Sequence, residues 1–180
     1  MRVGCCVLRH RGVPGPSISA SFQDGSRSPR PNTQHLSPGG DVLVETTHRV
    51  NYSEVDQMGV VYHANYLVWL DVARCELLRQ AGMSYKELEG QGYFLAVSDA
   101  RLRYKRAAKY DDLVRVKCWV REVGSRKVAF GYAVEHAERG ELLATAVIEL
   151  LSLSHTFQPT RLPPDVAQML PVTADPIRVD

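Results

Sequence analysis

Between Ala64 and Gly82 the apolar residues Tyr66, Leu70, Ala73, Leu77 and Ala81 recur at spacings of four, three, four and four. That is the period of an α-helix of about five turns, with Gly82 as its stop. Leu67, Val68 and Trp69 widen the apolar surface beyond one stripe. A helix with so much apolar surface is expected at the centre of a fold, wrapped on most sides. The remainder of the chain must supply that wrapping.

The flanking segments have a period of two. Ahead of the helix, Val42, Val44, Thr46, His48, Val50 and Tyr52 alternate with more polar neighbours, which predicts a strand. Behind it, Ser84 and Glu87 form a capping box for a short helix that Gly90 or Gly92 ends. Alternation then returns over residues 94–106 through Leu102 and Tyr104, over 113–123 through Val114, Val116, Cys118 and Val120, and over 127–136 through Val128, Phe130, Tyr132 and Val134. Residues 142–154 complete the set. The intervening "AAKYDD", "GSR" and "ERGE" have hairpin lengths and turn chemistry, which predicts an antiparallel meander. The order β-α-(short α)-β-β-β-β specifies α+β architecture, with an antiparallel sheet of about five strands curved around the long helix.

A chain of 180 residues with 44% apolar content is long enough for one domain with a real core. The net charge of +2 is unevenly spread. Residues 1–40 carry five Arg against the single acid Asp24, so the remainder is slightly acidic. That split leaves no general basic face, and nucleic acid is not an expected partner. The same forty residues hold half of the ten prolines and six of the thirteen glycines. They cannot bury enough apolar surface to offset ordering entropy and read as a disordered tail. Their Arg- and Ser-rich, acid-poor composition fits an organelle transit peptide and equally a start codon assigned too early. The folded domain is expected over residues 41–160, with 161–180 as a C-terminal tail. No window approaches a membrane span, so no integral membrane segment is expected.

Cysteines at 5, 6, 75 and 118 show no metal-site or disulfide spacing. Cys75 and Cys118 read as small core residues of a reducing, cytoplasmic compartment.

The chemistry concentrates in "VDQMGVVYHANY", where a strand gives way to an acid, a glycine and the long helix. "DQMG" places Asp first and Gly fourth, which suits a type I turn. The longer run "DQMGVVYHANYLVWLDVAR" resembles the motif region of hotdog-fold acyl-CoA thioesterases of the 4-hydroxybenzoyl-CoA thioesterase and YbgC type. The resemblance extends over roughly residues 44–157 and includes "GQGYFLAVSDARLRYKRAAKYDDLVRVKCWV". It implies a hotdog fold, thioester hydrolysis, a homodimer or homotetramer, and no metal or cofactor, coenzyme A being part of the substrate.

Thioester hydrolysis needs a base or nucleophile and an oxyanion stabiliser. A carboxylate serves either by activating water or by attacking the carbonyl. The free N–H groups at a helix start can hold the developing oxyanion. The resemblance assigns Asp56 as the catalytic carboxylate and the His63 backbone N–H as oxyanion donor. It has Gly59 let the loop pass close to the acyl group, and includes Tyr62 in the catalytic motif. Asn65, Tyr66, Arg126 and Lys127 are the implied substrate-binding residues. Arg103, Lys105 and Arg106 are further cations for the nucleotide of coenzyme A. Tyr62, Tyr66, Trp69 and Phe94 are candidates for an acyl pocket or for core.

Three alternatives stand beside this reading. A related hotdog class, the hydroxyacyl dehydratases, uses a His as base, which would give that role to the His63 imidazole. Another hotdog thioesterase group carries its acid within the helix, where Asp71 lies. The plainer reading of Asp71 is an ion pair with Arg74. The YbgC group usually has Glu at this position, which leaves acyl specificity open. A non-catalytic acyl-CoA-binding module is the third.

Overall fold

The computed structural model describes residues 43–179; the expected N-terminal tail over residues 1–40 lies outside them. The elements are β1 (Leu43–Arg49), a single 3-10 turn (Tyr52–Glu54), α1 (Asn65–Gln80), α2 (Tyr85–Gly90), β2 (Tyr93–Tyr104), β3 (Leu113–Val123), β4 (Lys127–His136), β5 (Leu142–Ser154) and α3 (Pro164–Met169). The local signals account for the boundaries. α1 leaves through Ala81 and Gly82, the latter at φ +99°, where a glycine is at ease. At α2, the Glu87 N–H donates to Ser84 Oγ at 3.3 Å and the Ser84 N–H to Glu87 Oε2 at 2.7 Å, closing the expected capping box.

All strand pairs are antiparallel, in the order β1-β3-β4-β5-β2. β3, β4 and β5 form the expected meander, but β2 does not pair with β3. It lies at the far edge beside β5. "AAKYDD" is therefore a crossing and not a hairpin turn. β2 and β3 are three strand spacings apart, about 14 Å, a gap that residues 105–112 bridge easily at roughly 3.3 Å per residue. The crossing is pinned to the segments on either side of the candidate acid. Ala108 O accepts from Val61 N at 2.9 Å, Asp112 O from Val50 N at 3.0 Å, and Val50 O from Asp111 N at 3.1 Å.

One face of the sheet and α1 form the main core. Val114, Val116, Cys118 and Val120 of β3, Phe130 and Tyr132 of β4, and Ile148 and Leu150 of β5 meet Tyr66, Trp69, Leu70, Ala73 and Leu77 of α1. α1 is not wrapped on most sides, however. Val68 and Val72 are 58% and 55% exposed. Five strands cover only one side of a helix, so its second apolar face remains open in the single chain.

The opposite face of the sheet carries a smaller cluster of Trp119, Ala133, Val147 and Val179. Residues 161–179, expected as a tail, close over both regions. Leu162, Val166 and Leu170 join the main core. Further on, Thr173 N donates to Val120 O at 2.8 Å, and Asp175 accepts from Trp119 Nε1 at 2.8 Å and from Arg121 at 2.9 and 2.7 Å. No helix among the described residues is long and apolar enough to cross a membrane.

Candidate active site

After β1 the chain makes a small hairpin whose tip holds Asp56. Val55 bridges Val61, Asp56 N donates to Val60 O at 2.9 Å, and Tyr62 N donates to Glu54 O at 2.8 Å. At the tip, Asp56 O accepts from Gly59 N and Asp56 Oδ1 from Met58 N, both at 2.9 Å. The turn role of Asp56 is thus real, and it occupies one carboxylate oxygen. Oδ2 makes no hydrogen bond among the described residues. Gly59 sits at φ +73°, and a Cβ there would meet nothing within 4 Å. Its necessity in this chain is the left-handed backbone that ends the turn.

The helix start follows at once. Asn65 N donates to Tyr62 O and Leu67 N to Ala64 O. The N–H groups of His63 and Ala64 donate to nothing among the described residues. They are the unpaired donors that a helix leaves at its positive end. The His63 carbonyl is fixed by the Tyr104 hydroxyl at 2.9 Å. The exposed His63 imidazole lies 4.3 Å from the Tyr62 ring by centroids. Its side chain makes no hydrogen bond among the described residues, so no carboxylate orients it as a base.

Other candidates have structural partners. The buried Tyr66 hydroxyl accepts from Ala108 N at 3.1 Å, and Asn65 Nδ2 donates to Glu54 O at 2.8 Å. Both tie loop to helix. Trp69 is core, and Phe94 stacks on Phe157 at 5.2 Å. Asp71 is exposed and pairs with the buried Arg74, as the plainer reading expects. Lys127 Nζ lies 3.3 Å from Glu149, and Arg106 pairs with Glu141. Arg126 and Lys127 are not brought to Asp56 within one chain. Val50 meets the start of β3 and Arg126 follows its end, eleven residues or about 36 Å of strand away.

A groove of about 620 Å³ opens beside the acid, lined by Tyr52, Val55, Asp56, Gln57, Gly59 and Tyr110. Tyr52 and Tyr110 meet edge to face at 5.1 Å. The sequence reading missed both tyrosines.

It also missed Glu54, whose signal was present in "NYSE", the same four-residue spacing as the capping box at Ser84. Glu54 Oε2 accepts from Asn51 N at 2.7 Å and lies 2.8 Å from His48 Nε2, while Oε1 accepts from Trp69 Nε1 at 2.8 Å. Burial alone would raise this carboxyl's pKa. The hydrogen bonds from His48, Asn51 and Trp69 outweigh burial and hold it below its ordinary value of 4.5. A lowered folded-state pKa contributes stability that is fully present above the ordinary value and is lost as pH falls through the folded one. Thermal melts from about pH 6 down to about pH 3 should therefore show a steeper acid loss in the wild type than in Glu54→Gln.

With this geometry in place, comparison with known proteins decides the family: residues 50–170 match the thioesterase-like superfamily. The chain belongs to that superfamily. It is 39% identical over 93 residues to the putative acyl-CoA thioesterase YneP of Bacillus subtilis, covering 52% of this chain and 67% of that one. Among solved structures, the hypothetical protein TT1821 of Thermus thermophilus superposes with a TM-score of 0.67 at 35% identity, over 71% of this chain and 96% of that one. The DHNA-CoA thioesterase of Staphylococcus aureus gives 0.64 at 36% identity, over 67% and 80%. The hotdog fold expected from the motif is the fold of this superfamily member, and it is an enzyme of the thioesterase type.

Proposed function

We propose that the protein hydrolyses an acyl-CoA thioester to the free acid and coenzyme A, with Asp56 as nucleophile or general base. The observation that carries this is one carboxylate oxygen of Asp56 with no hydrogen-bond partner among the described residues, lining a groove and followed seven residues later in the chain by the His63 and Ala64 N–H groups, which donate to none of the described residues. A thioester carbonyl seated between them meets an acid that can attack it or deprotonate water, and donors that stabilise the oxyanion. His63 contributes its backbone in this scheme. Its imidazole, without an orienting acid, does not favour a dehydratase. The names of YneP and of the Staphylococcus aureus enzyme support an acyl-CoA substrate.

We assign the nucleotide end elsewhere, because the residues lining the groove include the acid Asp56 and no Lys or Arg to hold a polyphosphate. Arg126 and Lys127 suit that role when a second copy brings them near, since they are remote from Asp56 in their own chain. The open outer edge of β2 and the exposed Val68 and Val72 support such an assembly, a homodimer or homotetramer. A reducing, cytoplasmic location is part of this proposal, supported by Cys75 and Cys118 being free thiols.

Thiol release from acetyl-, butyryl-, hexanoyl-, palmitoyl-, benzoyl- and 4-hydroxybenzoyl-CoA tests the activity. Turnover of at least one is expected. No release from any member, by protein that binds CoA, would turn the reading to a binding module. Replacing Arg126 and Lys127 together by Ala should raise KM for the preferred substrate about tenfold with kcat little changed, the effect of lost uniform binding. An unchanged KM removes them from the site.

A further inference from the structure

We infer that Glu54 is a positioning residue for the reaction: its partly buried carboxylate and its carbonyl together set the Asp56 turn against the helix start. This rests on the proposed role of Asp56 and extends it to a residue that touches no substrate.

The connections converge on one residue from four directions. The carboxylate takes the His48 ring from the end of β1, the Asn51 N–H from the entry to the 3-10 turn, and the Trp69 indole N–H from the second turn of α1. The Glu54 carbonyl takes Tyr62 N at 2.8 Å, which closes the neck of the Asp56 hairpin, and Asn65 Nδ2 at 2.8 Å from the first residue of α1. The hairpin tip is itself held by Asp56 and Gly59. What relates that tip to the His63 and Ala64 N–H groups is its base, and Glu54 occupies that base. An acid and oxyanion donors act on one carbonyl only if their separation is fixed, and a displacement of about 1 Å is enough to cost roughly a hundredfold in rate.

The site requires a carboxylate and not merely a hydrogen-bonding side chain. Trp69 Nε1 and Asn51 N are obligate donors on different oxygens. A glutamine has one acceptor oxygen, so its NH₂ must face one of those donors. The unmatched donor then pushes either the helix or the turn entry away. His48 is also 5.2 Å from the Trp69 ring by centroids, so displacing one moves the other.

The test compares Glu54→Gln with the wild type and with Asp56→Asn on the preferred acyl-CoA, with circular dichroism to confirm folding. Glu54→Gln is expected to lower kcat at least tenfold with KM within about twofold, because substrate contacts remain while the reacting groups shift. Trp69→Phe removes one donor without opposing another and should lower kcat severalfold, again without a KM change. In the double variant Glu54→Gln/Trp69→Phe the amide faces no indole N–H, and kcat should recover above that of Glu54→Gln alone. A folded Glu54→Gln with wild-type kcat overturns the inference, as does a loss confined to KM. If Glu54→Gln does not fold, an unchanged kcat in Trp69→Phe overturns it and a severalfold fall at constant KM supports it. Retained turnover in Asp56→Asn would instead sink the proposed role of Asp56, so the two failures are distinguishable.

Discussion

Asp56→Asn is expected to lower kcat for thiol release by about a hundredfold or more, the scale of losing a catalytic acid or base. The substitution isolates the charge. An asparagine can present its side-chain oxygen to Met58 N, keep the Asp56 O to Gly59 N bond and preserve the turn. Melting temperature should therefore stay close to that of the wild type, and KM should change little, since the substitution keeps the side chain's size and shape and removes only its charge. The measurement is steady-state kinetics on the preferred acyl-CoA, alongside thermal melts of both proteins. A variant that keeps its turnover, beside an inactive His63→Ala, would move the chemistry to the imidazole and reopen the dehydratase reading.

Gly131→Ala is expected to produce a large loss of stability far from the site. Gly131 of β4 lies opposite Trp119 of β3, and the indole lies across the glycine. A Cβ there would stand 2.4 Å from Trp119 Cε2 and 2.6 Å from Cζ2 and Nε1. The ring cannot easily retreat, because it is fully buried and its N–H is held by Asp175 at 2.8 Å. Overpacking of this kind costs about 1–3 kcal/mol, occasionally more. At about 2–4 °C per kcal/mol for a chain of this size, the melting temperature should fall by roughly 2–12 °C. The same substitution in a Trp119→Leu background, which removes the colliding ring, should cost much less than in the wild type. Equal costs in the two backgrounds would mean that the indole is not the obstacle. Because Asp175 belongs to the C-terminal segment, the clash should also loosen residues 171–179 from the sheet, readable as faster amide exchange at Thr173.

The second prediction bears on a part of the fold that sequence reading treated as a tail. Residues 161–179 have no sustained period, and their apolar residues Leu162, Val166, Leu170 and Val179 are too scattered to declare a face. What they pack on is a sheet assembled from residues far away in the chain. The misplaced β2 has a related cause. Alternation told which residues of β2 share a face and where the strand begins and ends, but nothing in it names the neighbouring strand. An eight-residue connection fits a hairpin and a short crossing alike.

By itself the sequence determined the local states. The three-and-four spacing from Tyr66 to Ala81 specified α1, period two specified the strands from Leu102 to Val134, and Ser84 with Glu87 specified the start of α2. It also marked the turn at Asp56 and the helix that follows, because Asp first, Gly fourth and a helical run are all short-range signals. Tertiary structure alone decided which strands are neighbours and that Glu54 joins β1, the Asp56 hairpin and α1. It also decided that Arg126 and Lys127, expected to bind the nucleotide of coenzyme A, stand a strand's length from Asp56 in the same chain. The physical reason is common to all three. Periodicity and capping report the interactions of a residue with others within a turn or two of itself, whereas strand order, a shared carboxylate and the distance between two loops depend on contacts that the local pattern does not encode.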